Sequence, residues 1–160
     1  MRTDFNDIYI GSHCRFFLCS DGGMAAIPEC FRRPVIYTNW TRINGLITAS
    51  TLATGLVIFK KFYLEQEDRY MTFSEVLNLD SGGGDPRDAS VKLQLIENTP
   101  EEILSVTIEM FERLSGTWTT SEEDEKLQQR FWALFGHKKV RSPDLRIGAE
   151  YLRENKALLD

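Results

Sequence analysis

The sequence predicts an α/β protein: a parallel sheet of about three strands, flanked by helices and closed by more helix at the C-terminus. Three observations carry that expectation. Arg15–Ser20 and Pro34–Asn39 are short apolar runs without alternation, which suits strands covered on both faces. Between them Asp21-Gly22-Gly23 turns into the apolar stretch Met24–Ile27, so the order is strand, glycine turn, helix, strand, as in a βαβ unit. The later half contains well-marked helix starts. A composition of 42% hydrophobic and 27% charged residues supports a globular core and excludes global disorder and fibrous repeats.

The elements follow in order. Asp4 is expected to cap a short helix whose Phe5, Ile8 and Tyr9 fall on one buried stripe. The strand over 15–20 comes next, then a helix from Met24 that Pro28 either shortens or restarts. The second strand, 34–39, has proline at its mouth. Trp40–Thr54 reads as a loop or small excursion. Leu56–Leu64 is extended and apolar around Lys60-Lys61, which reads as a solvated strand end. Thr72–Glu75 is a capping-box start for a short helix through Leu79, and Asp80–Pro86 with its three glycines is a surface loop. A third strand is expected over 91–97, where Val91–Leu95 alternates as a strand with one wet face does.

The clearest helix start is Asn98–Glu102: Thr99 caps, Pro100 takes the first position and Glu102 closes the box. Ile103, Val106, Met110 and Leu114 form one stripe, widened by Leu104, Ile108 and Phe111, which predicts a well-buried helix. Thr120–Glu123 opens an acidic helix with Leu127, Phe131, Leu134 and Phe135 inward, and a last amphipathic segment runs from about Leu145 to Leu159. Three strands are fewer than the five or six of an independent doubly wound domain. Residues 1–119 therefore read as an incomplete Rossmann-like domain, and 120–160 as a helical extension packed on it.

Charge and cysteine usage narrow the function classes. The formal net charge of -5 argues against a nucleic-acid-binding face. Ile43–Phe59, the longest uncharged stretch, carries too many polar residues to span a membrane, and Asp4 precedes any apolar signal core, so a cytoplasmic protein is expected. Cys14, Cys19 and Cys30 are an odd set, read as buried inert thiols rather than disulfides or zinc ligands.

The turn Ser20-Asp21-Gly22-Gly23 is the strongest site candidate. It follows a buried strand and precedes a helix, where unpaired N–H groups and the helix dipole favour a phosphate, and glycine admits close backbone approach. The charge of Asp21 opposes a bare phosphate unless it turns to cap a helix or bind a sugar hydroxyl. The same turn also serves as a plain strand-to-helix connection. Asn39, Glu97 and Asn98 end the other two strands, in reach of a ribose or base on the same sheet edge; as a turn former and helix-start residues they have structural readings too. Arg32-Arg33 reads as a C-terminal cap for the helix before it.

Phe16–Gly23, Ile27-Pro28 and Pro34–Trp40, followed by Tyr70–Glu75, Ile96–Ile103, Gln128–Trp132 and Tyr151-Leu152, resemble the C-terminal half of a bacterial GT-B-type glycosyltransferase family from surface-carbohydrate gene clusters. The resemblance runs through nearly the whole chain in order. It departs at Gly22, where serine is common. It implies transfer of a sugar from a nucleotide-sugar donor to a surface-glycan or similar acceptor, with no cofactor or bound metal, the nucleotide-sugar being substrate. Ser20, Asp21, Gly22 and Gly23 would face the donor phosphate or sugar; Asn39, Glu97 and Asn98 would lie by the nucleoside. It implies as partner a separate N-terminal half, without which the chain is expected to be inactive, or a second copy of the chain. The alternative is a non-catalytic remnant or interaction module using an exposed sheet edge.

Overall fold

A computed structural model describes residues 3–20, 22–48, 54–81, 92–136 and 144–160. Helix α1 (Asp4–His13) leads into strand β1 (Phe17–Ser20); a 3-10 turn (Gly23–Ala25) and α2 (Ala26–Cys30) connect it to β2 (Val35–Trp40). After α3 (Gly45–Thr48) come β3 (Gly55–Phe59), β4 (Lys61–Leu64), β5 (Arg69–Tyr70) and α4 (Phe73–Ser81). The rest is β6 (Leu93–Ile96), α5 (Pro100–Ser115), α6 (Glu122–Ala133), β7 (Leu145–Ile147), α7 (Ala149–Glu154) and a final 3-10 turn (Lys156–Leu159).

The protein is of the expected α/β class, and its main sheet is wholly parallel, in the order β1-β2-β3-β7. Two expectations about strands need correction. The third strand of the parallel sheet is β3 rather than 91–97: β6 pairs antiparallel with β4, which also carries β5, in a separate three-stranded sheet. The alternation of β6, with Gln94 exposed, was the mark of this second sheet, because a fully covered parallel strand does not alternate. The stretch 145–159 is not helical throughout: Leu145–Ile147 adds a fourth parallel strand, so the segment after 120 completes the sheet as well as covering it.

The centre of the sheet is dry. Val35, Ile36, Leu56, Val57, Ile58, Phe59 and Ile147 are at most 1% exposed, as strands covered on both faces require. Phe59 anchors an aromatic cluster with Phe73, Phe131 and Tyr151, which ties α4, α6 and α7 to β3. Strands β2 and β3 approach so closely at Gly55 that a Cβ there would sit 2.1 Å from the Val35 carbonyl oxygen. Gly116 ends α5 at φ 72, in the left-handed region that glycine adopts without strain.

Helix starts match the sequence reading best. Thr99 and Glu102 form a complete capping box, and Thr72 and Glu75 exchange the same pair of bonds. The second box sits one residue late, on Ser121 and Asp124, and the cap of α1 is Thr3 rather than Asp4. The apolar stripe of α1 is not buried: Phe5, Ile8, Tyr9 and Ile10 are 48–72% exposed, because Gly11 and Ser12 make the inward contact, with Gly11 against Ile27. Only part of the α5 stripe is buried, with Val106 and Met110 inward and Leu104, Ile108, Phe111 and Leu114 exposed. Gly82–Gly84, expected in a surface loop, lie outside the described residues. Among the described residues no helix is long and apolar enough to cross a membrane.

Candidate functional site

Strand β1 is the outer strand of the parallel sheet and half-exposed, with Leu18 open to solvent, rather than the buried strand covered on both faces that its unalternating run predicts. It delivers Ser20, exposed, to the carboxyl edge. Asp21 lies outside the described residues. Gly22 continues extended (φ 178, ψ 158), and the 3-10 turn begins at Gly23. The Ala25 N–H donates back to the Gly22 carbonyl at 3.3 Å, whereas the N–H groups of Gly23 and Met24 meet no acceptor among the described residues. That pair of open donors is what the start of a helical turn leaves over. Neither glycine is demanded by packing: a Cβ on Gly23 would meet nothing within 4 Å, and one on Gly22 only the Ser20 carbonyl oxygen at 3.9 Å. The backbone of this turn is thus open to approach on the side that a side chain would cover.

Asn39 and Asn98 do come together, although their strands belong to different sheets. The Asn39 N–H donates to Asn98 Oδ1 at 2.6 Å and the Asn98 N–H donates to Asn39 Oδ1 at 2.7 Å, a reciprocal clasp that holds Asn39 at φ 55. Asn98 Nδ2 donates to the Phe59 carbonyl at 2.8 Å and to Glu102 at 3.3 Å, and the residue is 7% exposed. Its amide is engaged inside the protein, where it fixes the carboxyl ends of β2 and β3 against the start of α5. Glu97 is 71% exposed and pairs with Lys60 at 3.0 Å.

The Lys60-Lys61 expectation divides. Lys60 reaches the exposed Glu97, but Lys61 is no solvated strand end: its ammonium lies 2.9 Å from Glu102, whose side chain is only 4% exposed. Burial pushes the Glu102 carboxyl up, yet the Lys61 ammonium, the Thr99 N–H and the Asn98 amide together hold it below the usual carboxylate range. The signal for this pair was present in the sequence, since Lys61 sits between Phe59 and Phe62 in an otherwise apolar run. Tyr151 donates to the same Phe59 carbonyl at 3.1 Å, and burial drives its hydroxyl far above its ordinary value.

The remaining candidates are structural. Arg33 donates to the Ser12 carbonyl at 2.7 Å and so closes the C-terminus of α1, not of α2 as expected. Tyr37 donates to Glu29, joining β2 to α2. Cys14 and Cys19 are half-buried, and Cys30 is exposed rather than buried. A cavity of about 400 Å³ opens at the other end of the sheet, among Pro34, Gly55, Leu56, Met110, Arg113 and Arg146. Its cations already serve Glu109 and Glu125.

Comparison with family models, curated proteins and solved structures finds no match for this chain.

Proposed function

We propose that this chain is the donor-binding part of a glycosyltransferase, gripping the diphosphate of a nucleotide-sugar at the turn after β1 and completed by a further half that carries the acceptor. The observation that carries this reading is the turn itself. It lies at the carboxyl end of a parallel strand, with the N–H groups of Gly23 and Met24 unclaimed among the described residues and nothing within 4 Å of the Gly23 Cβ position. The resemblance of Phe16–Gly23 and the downstream segments to GT-B-type enzymes supplies the reaction class.

On this reading Ser20 offers a hydroxyl to a phosphate or sugar oxygen, and the Gly23 and Met24 N–H groups point at the charge that grows on the departing diphosphate. Such preorganised donors lower the barrier because they need no reorganisation as the bond to the sugar breaks. Asn98 acts on the site indirectly, by holding the neighbouring end of β2 through Asn39.

Titration calorimetry tests the proposal with the nucleoside diphosphates of the four common bases and their sugar conjugates. The wild-type chain is expected to bind at least one saturably. Gly23→Val, which adds bulk where nothing is packed, should leave the fold intact by circular dichroism. It should weaken binding by about 10- to 100-fold, the loss of one or two hydrogen bonds to a charged group. Equal binding by the variant, or no binding by the folded wild type, overturns the assignment.

A further inference from the structure

We propose that Trp40 is the platform on which the base of the nucleotide stacks while the turn after β1 holds the diphosphate, an inference that rests on the reading of that turn as a donor site. The strand-end residues expected beside the nucleoside have little left to offer it. Asn39 Oδ1 and Asn98 Oδ1 accept from each other's backbone, and Asn98 Nδ2 serves Phe59 and Glu102. Glu97 is paired with Lys60. Recognition of a base therefore falls to another surface at the same edge.

A bulge sets the position of Trp40. In a regular strand, residues three apart point to opposite faces. Tyr37 and Trp40 do not: their ring centroids are 5.1 Å apart at 72°, because Asn39 between them is left-handed (φ 55) and the register against β3 shifts at this point. Bulges of this kind re-aim a side chain and recur beside active sites. Tyr37 donates its hydroxyl to Glu29 of α2, so both rings lie on the sheet face that α2 covers. From Tyr37 to Trp40 the strand climbs about 8–10 Å toward the carboxyl edge. From Glu29 back to Gly23 the helical turns climb about 9 Å the same way. The indole and the open N–H groups of Gly23 and Met24 thus stand level on one face. Ser20 is in register with Thr38, which puts the Trp40 Cα roughly 8 Å from that of Ser20, a separation suited to a ribose between base and diphosphate.

The ring is held before any ligand arrives. Its N–H donates to the Arg42 carbonyl at 2.7 Å, and its Cζ2 and Nε1 back against Gly45, 3.4 and 3.5 Å from where a Cβ would stand. The one polar atom of the indole is satisfied within the protein, and what Trp40 still shows to solvent, at the rim of the core, is aromatic carbon. Stacking on a ring already fixed costs little side-chain ordering. A base offers a π-face whatever its identity, so such a platform recognises nucleotides as a class and discriminates weakly among bases. The ligand chemistry assigned to this edge is therefore a nucleoside diphosphate group, not a bare polyphosphate or a sugar phosphate.

Calorimetry with pyrophosphate and with nucleoside diphosphates, on the full chain, separates the platform from the turn. Wild type should bind at least one nucleoside diphosphate about 10- to 100-fold more tightly than pyrophosphate, the contribution of one base–aromatic stack. Trp40→Leu should bring that nucleoside diphosphate down to the pyrophosphate level and leave pyrophosphate binding unchanged, while Trp40→Phe keeps most of the difference; circular dichroism checks both folds. The bound nucleoside diphosphate, and not pyrophosphate, should quench the tryptophan fluorescence of wild type. Trp40→Phe should lose that quench although Trp118, under Arg113, and Trp132, beside Phe131, remain. Equal wild-type affinity for the two ligands, a Trp40→Leu loss shared equally by both, or a bound nucleoside diphosphate that leaves the fluorescence unmoved overturns the role of Trp40 and leaves the turn standing. Binding of neither ligand overturns the turn and this inference with it.

Discussion

Replacing Asn98 separates a residue that holds the site from one that merely lines it. Asn98→Ala removes the acceptor of the Asn39 N–H and the donor to Phe59 and Glu102. The Phe59 carbonyl keeps Tyr151, and Glu102 keeps Lys61 and the Thr99 N–H, so their losses are partial. The Asn39 N–H is left without its partner in a half-buried position, at a cost of about 1–3 kcal/mol. With the weakened bonds, the variant should lose about 2–4 kcal/mol, or roughly 5–15 °C in melting temperature for a chain of this size. Asn98→Asp is the sharper probe. It retains an acceptor for Asn39 but sets a carboxylate oxygen against the Phe59 carbonyl and the Glu102 carboxylate, groups that Nδ2 now approaches to 2.8 and 3.3 Å. At pH 7 aspartate should therefore be worse than alanine. Burial and the neighbouring carboxylate raise the aspartate's affinity for a proton in the folded protein, so the gap should narrow as the pH falls from 7 and be gone by about 4, the ordinary carboxylate value. Urea unfolding followed by tryptophan fluorescence at both pH values measures this. If Asn98→Ala lies within about 0.5 kcal/mol of wild type, or aspartate is no worse than alanine at pH 7, the clasp does not hold the edge as described.

Three further outcomes are expected. Gly55→Ala drives a methyl group to 2.1 Å from the Val35 carbonyl oxygen at the centre of the sheet, so it should cost about 3 kcal/mol or more and show as loss of soluble, folded protein. Lys61→Met leaves the nearly inaccessible Glu102 without its cation and should destabilise by about 3 kcal/mol at pH 7. Because the folded protein holds the Glu102 carboxyl low, its pairing with Lys61 is fully present above the unfolded carboxylate value and fades as pH falls, so thermal melts should show this variant's deficit shrinking in acid. Arg69 holds the Glu75 carboxyl down to about 2, against 4.5 ordinarily, so the stability from that pair is complete above about 4.5 and disappears between there and about 2. Both side chains are some 40% exposed, so solvent screens the pair and its contribution is small. Glu75→Gln should accordingly flatten the acid limb of the melting curve only slightly.

Local signals in the sequence were legible where one short segment decides the structure. Thr99, Pro100 and Glu102 specify their helix start unaided, and strands form on either side of Asp21-Gly22-Gly23 where the apolar runs lie. Only β2 of the two is covered on both faces, however, and β1 is an edge strand with Leu18 and Ser20 exposed. What escaped was decided at a distance. Leu145–Ile147 is a strand because β3 offers it an edge, 90 residues upstream by register (Gly55 with Leu145), and amphipathic spacing alone reads the stretch as helix. Periodicity alone reads the outward stripe of α5 as core, because it reports an apolar face without reporting what covers it. At the site, the turn and the meeting of Asn39 with Asn98 could be anticipated from strand ends. The reciprocal bond between those two could not, since it depends on the second sheet ending beside the first.

The gripping of a diphosphate by the turn after β1 is tested most directly at the amides themselves. In a ¹⁵N-labelled sample, adding the nucleoside diphosphate that calorimetry selects should move the Gly22, Gly23 and Met24 amide resonances in a saturable way, with Ser20 following. Inorganic phosphate should shift the same amides more weakly. Shifts confined to the far end of the sheet, around Arg113 and Arg146, or their absence from Gly23 and Met24 at saturation, would contradict the account.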